Sequence, residues 1–196
     1  GWGDAGPNKV EHQRETVRLL KQDLPEPWSL VSGLFDYLPM CREMGVLGKT
    51  VLLPYGAIED EPSYPTTNVS IDAVHGAIER MVPYAAELAG VMGNVQTPLL
   101  QFPHVYGYLS ALWDLDARHT PQRDVLLQAA ALLYPERKEL IADAWLALNE
   151  KDVTKLAAAA AQLESVVQPD KLGRRGVLGR HVFPETRIAA DLLLAQ

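Results

Sequence analysis

Cysteine is nearly missing from this chain, and its single copy, Cys41, excludes an internal disulfide and any metal site built from several thiolates. A lone thiol fits any compartment, so the redox location stays open. Basic residues are outnumbered, 18 Lys and Arg against 25 Asp and Glu, for a formal net charge of −7. A nucleic-acid backbone must have each contacted phosphate neutralised by Lys or Arg, so nucleic acid is not an expected partner. No apolar run approaches the roughly 20 residues needed to cross a bilayer, and no membrane association is expected. The chain opens Gly1-Trp2-Gly3-Asp4, with neither Met nor a signal peptide, so a processed or truncated start is expected.

Chemistry-bearing motifs are equally scarce. The histidines, at positions 12, 75, 104, 119 and 181, never put two on one helical turn with a carboxylate, and no metal site is expected. Ser29, Ser32 and Ser63 lack the glycine-flanked elbow of serine hydrolases. Neither a phosphate-cradling loop nor a dinucleotide fingerprint occurs, so no cofactor is implied. Gly173-Arg-Arg-Gly176 follows a helical segment instead of leading one, and reads either as an anion contact or as a solvated turn.

What is present is enough apolar material for a core: 47% of 196 residues. Asn8 to Lys21 places Val10, Val17 and Leu20 near one face and predicts a helix capped by Asn8. Pro25 and Pro27 stop it, and the run from Trp28 to Gly33 reads as a short buried strand. Phe35 to Met44 reads as a helix ended by Gly45, with Pro39 marking a first part that is either helix or turn. Thr50 to Pro54 is the better strand, and the long polar loop from Tyr55 to Asn68 follows it. Ser70 can cap a helix running to Ala89 that Pro83 should kink, and Gly90 to Gln96 gives a third strand. Pro98 to Leu112 is a helix interrupted or started late by Pro103.

The tail then turns helical over Pro121 to Tyr134, Pro135 to Asn149 and Asp152 to Gln168, with a last helix from about Pro184 to Leu194. Alternating strands and helices mean parallel pairing with crossover connections. The expected fold class is therefore α/β, with residues 1–118 as strand-helix units and 119–196 as an α-helical region. Three units cannot close an eight-stranded barrel, which needs about 250 residues. Either the sheet is small and open, or a preceding segment or a partner chain completes it.

Leu88-Ala-Gly-Val-Met-Gly-Asn-Val-Gln-Thr97, then Leu100-Gln-Phe-Pro-His-Val-Tyr106 and Trp113-Asp114, resemble the last strand and helix of large barrel glycoside hydrolases. The likeness is to enzymes of the N-acetylhexosaminidase and alpha-glucuronidase kind, in which a helical domain follows a TIM barrel. Ala131-Leu-Leu-Tyr-Pro-Glu136 and Asp143-Ala-Trp-Leu-Ala-Leu-Asn149 look like that helical domain. The resemblance covers about half the chain. It implies a carbohydrate substrate, and the part of a TIM barrel implied is its latter part. In that family the acid/base pair stands on an earlier strand, and no strand here carries adjacent Asp and Glu, so part of the catalytic equipment would lie outside this chain.

Glycosidic cleavage takes two carboxyl groups, one to protonate the leaving oxygen and one to attack or to activate water. Glu59 and Glu61 follow the best strand, where a barrel carries its active-site loops, and are the catalytic candidates; the competing reading is a solvated acidic loop. Asp4 suits either a strand end or a frayed terminus. Aromatic faces stack on sugar rings while amides and carboxylates bind hydroxyls, which makes Trp2, Tyr55, Tyr64, Asn94, Gln96, Tyr106 and Trp113 candidate binding residues. Trp28 and Trp145 lie inside apolar periodic runs and are expected in the core.

Overall fold

The structure is a computed structural model and describes residues 9–54, 70–93, 95, 101–150 and 152–166. The chain divides into two compact units: Gly1–Tyr55 with Arg80–Asn94, and Gly56–Glu79 with Val95–Gln196.

The first unit holds the sheet. Helix α1, Lys9–Asp23, turns the buried Val17 inward, and strand β1 spans Leu30–Ser32. A 3-10 turn, Phe35–Tyr37, leads into α2, Leu38–Glu43, with Pro39 in its first turn, where the missing N–H breaks no helical hydrogen bond. Pro39 therefore sits at the start of the helix, and the residues before it form the turn. Gly45 ends α2 at φ +67°, a left-handed conformation that costs a residue with a Cβ roughly 1–2 kcal/mol. Its N–H donates to the Arg42 carbonyl and that of Val46 to the Cys41 carbonyl, which satisfies two of the helix's last acceptors.

Strand β2, Thr50–Leu52, is central, and β3 is Gly90–Val91. All pairing is parallel, in the order β1-β2-β3: Leu30, Val31 and Ser32 oppose Thr50, Val51 and Leu52, while Val51 and Leu52 oppose Gly90 and Val91. Thr50 and Leu52 are buried, and the Thr50 hydroxyl donates to the Val46 carbonyl at 2.9 Å. The stretches around Val51 and Val91 thus lie side by side in the same direction, as their apolar patterns predict. Strand β3 stops at Val91, well short of Gln96. Met92 still donates its N–H to the Leu52 carbonyl, but its side chain and Gly93 are exposed.

Trp28 departs from expectation. It is half-buried beside β1, with the Lys49 ammonium 4.7 Å from its ring centroid, so it covers the unit's flank and makes a cation–π contact. Helix α3, Ile71–Met81, is not kinked at Pro83. It ends, and Val82–Tyr84 continues as a 3-10 turn, because the proline ring clashes with a continuing helix.

The second unit is helical. Helix α4, Phe102–Trp113, starts late with Pro103 in its first turn, and α5, Gln122–Leu133, follows Pro121. Pro135–Arg137 is a 3-10 turn before α6, Lys138–Glu150. Helix α7, Val153–Val166, is capped by Asp152, whose Oδ1 accepts the Lys155 N–H at 3.0 Å. Consecutive helices pack pairwise, α4 on α5, α5 on α6 and α6 on α7. Ala129, Ala130, Ala142 and Ala144 are buried at these contacts, small enough to let backbones approach, while Leu126, Ile141, Trp145 and Leu156 fill the core. Each such fully buried aliphatic side chain contributes about 1.5–3 kcal/mol. The acid and base patterns of the surface are matched too: Arg123 donates to Asp143 at 2.9 Å, and Lys155 to Glu150 at 2.8 Å.

Gly107 is closely approached by its neighbours within this unit. A Cβ there would lie 3.1 Å from Ile71 Cδ1 and 3.3 Å from Val125 Cγ1, both ends of side chains that can yield slightly. Gly107→Ala is therefore expected to fall within about 1 kcal/mol of wild type, the helix-propensity gain offsetting the crowding. Gly107→Leu should lose about 1–3 kcal/mol by overpacking. Thermal unfolding of both variants checks this, and equal melting points would contradict the packing described.

The segments at 55–68, 171–180 and 184–194, predicted as loop, loop and helix, lie outside the described residues.

Candidate functional site

Parallel pairing decides where any site on the sheet must be. Strands that run the same way release their following segments at the same edge, and in open or closed parallel sheets ligands are bound at that edge. Here the outgoing edge comprises Ser32, Leu52 to Pro54, and Met92. Ser32 is buried, with its hydroxyl donating to the Leu34 carbonyl at 3.2 Å, and its carbonyl accepts the Leu53 N–H at 2.8 Å. At the incoming edge Cys41 is buried beside Thr50, and burial pushes its thiol above the ordinary range.

Of the residues singled out by sequence, Trp2, Asp4, Tyr55, Glu59, Glu61, Tyr64, Asn94 and Gln96 lie outside the described residues. Tyr106 and Trp113 are described, and Trp113 ends α4 with 94% of its surface exposed, next to Asp114, whose Oδ1 accepts the Asp116 N–H at 3.0 Å. Trp145, by contrast, is a core residue as its periodicity predicts, 1% exposed.

Sequence reasoning passed over one polar cluster in the helical unit. Helix α3 carries Asp72, His75 and Glu79, and the 3-10 turn Leu115–His119 carries Asp116, Arg118 and His119. Arg118 donates to Glu79 at 2.5 Å and holds that carboxyl below its usual range. The i, i+4 spacing of His75 and Glu79 puts both on one face of α3 and was the available signal; a search framed around metal ligands does not respond to it. Among the described residues no three His, Cys, Asp or Glu side chains are placed to hold a metal ion, and no helix is long and apolar enough to cross a membrane.

No family model, curated protein or solved structure matches this chain.

Proposed function

We propose that the chain is the carboxyl-terminal portion of a carbohydrate-active barrel enzyme of the glycoside hydrolase kind, its helical region following the barrel. The observation that supports this is the strand order. Neighbours in sequence are neighbours in the sheet, all parallel. A TIM barrel keeps adding each strand beside the last, and these three strands follow that order, which one half of a doubly wound sheet also shows. Earlier strands would come from a preceding segment. In this reading Glu59 and Glu61 do the carboxylate chemistry after β2. Tyr55, Tyr64, Asn94 and Gln96, with Asp4 and Trp113, bind the sugar. No metal or cofactor enters the scheme.

The test is a screen of aryl glycosides on the gene product at its native length, with its mass and sedimentation measured alongside. A native product no longer than these 196 residues, monomeric and inactive on every glycoside, would overturn the proposal.

One observation favours a second reading, a non-enzymatic interaction or scaffold subunit that uses its helical tail to pack on a partner chain. Among the described residues nothing pairs with the outer side of β1, where Val31 is 57% exposed, and open strand edges invite pairing with another chain. Sedimentation separates the two: a stable monomer with no partner counts against the scaffold.

A further inference from the structure

The turn after α4 is tied to α3 through Arg118. Arg118, only 15% exposed, donates through Nε to Glu79 and through Nη1 to the Leu115 carbonyl of its own turn, both at 2.5 Å, and lies 3.6 Å from Asp116. On the same face of α3, His75 is half-buried, and its Nε2 is shut away from solvent with no hydrogen-bond partner. A neutral imidazole tolerates this, since its unprotonated nitrogen only forgoes a contact as acceptor. An imidazolium would bury a charged N–H with nothing to receive it.

We propose that the five-residue turn Leu115–His119 is an acid-released latch on α3: protonation of His75 unseats the turn that Arg118 and Glu79 hold at neutral pH. The charged groups around His75 set the balance. Burial is the largest influence and opposes the protonated ring, as does the positive charge of His119 from the turn; Asp72, on α3 itself, favours it. Glu79 and Asp116 are both engaged by Arg118. Helix α4, packed against α3 through Gly107 and Ile71, brings no Lys, Arg, Asp or Glu; its titratable groups are His104, with Nε2 2.8 Å from the Ser70 carbonyl oxygen, and Tyr106 and Tyr108.

Burial thus holds the pKa of His75 in the folded protein below its ordinary value. An unfolded histidine titrates at about 6.5. The seated turn therefore has its full stability above about pH 6.5 and loses it progressively as the pH falls towards the lower, folded value. Distance from His119 is gained when the turn lifts.

Hydrogen exchange on the full chain tests this, with protection factors corrected for intrinsic rates and compared at about pH 7.5 and 5.5. Protection of the Asp116 to Thr120 amides is expected to fall by up to about tenfold on acidification, because pH 5.5 lies about one unit below the ordinary histidine pKa, while α5 amides stay unchanged. In His75→Gln, which keeps a polar side chain but cannot titrate, the turn should show no acid response. Equal loss in wild type and His75→Gln, or no loss in wild type, overturns the latch. If that variant fails to fold, the wild-type His75 ring signals decide: they must move over the pH range in which protection is lost, and a mismatch overturns the proposal.

Discussion

Trp145→Ala is expected to cost the helical unit about 3–5 kcal/mol, seen as a large fall in its denaturant midpoint. Among the described residues Trp145 is the largest fully buried side chain, and it shares one core cluster with Leu126, Ile141 and Leu156. Truncation removes its transfer free energy and leaves a cavity that alanine-rich helices, already close, can collapse around only in part. Its indole N–H is buried with no hydrogen-bond partner. Phenylalanine would remove that unsatisfied donor, which costs about 1–3 kcal/mol, and so recover part of the cavity term. Trp145→Phe should therefore lose about half as much as Trp145→Ala, or less. An alanine variant within about 0.5 kcal/mol of wild type would mean that this cluster is not the unit's core.

The second large effect belongs to the proposed chemistry. Under the glycosidase reading, Glu59→Gln and Glu61→Gln should each lower turnover by about 10²–10⁴, equivalent to roughly 3–5.5 kcal/mol of barrier. The two should differ in kind. An aryl leaving group departs without much help from a proton, so losing the general acid spares aryl glycosides relative to unactivated disaccharides. Losing the nucleophile or base depresses both substrates alike. Amide replacement keeps size and removes the ionisable group, so circular dichroism of the variants should match wild type. Unchanged turnover in both variants removes the catalytic role from the loop after β2.

Local structure in this chain was legible at several proline and glycine positions, although Pro83 ended α3 where a kink was expected. Pro39, Pro103 and Pro121 stand at or just before helix starts, and Gly45 ends α2 in the conformation that only glycine adopts freely. The apolar run at Thr50 was short enough to be a strand, and its parallel partner at Gly90 followed from the strand-helix alternation. Where tertiary contacts decide, pattern failed. Trp28 sits in an apolar run yet is only half-buried, because it flanks a three-stranded sheet and is met by Lys49. The 3-10 turn Leu115–His119 carries no periodicity to read, although it places Arg118 on Glu79. Candidate residues for a sugar site were chosen by residue type and by position after a strand. Sequence supplies neither the separation of two carboxylates nor the facing of two loops.

The strand order also bears on how the chain assembles during synthesis. β1 is made before β2 and β2 before β3, and each new strand docks on one already complete. No strand has to wait for a later segment to be inserted between itself and its predecessor, so this sheet can grow vectorially from the amino-terminal side as the ribosome delivers it.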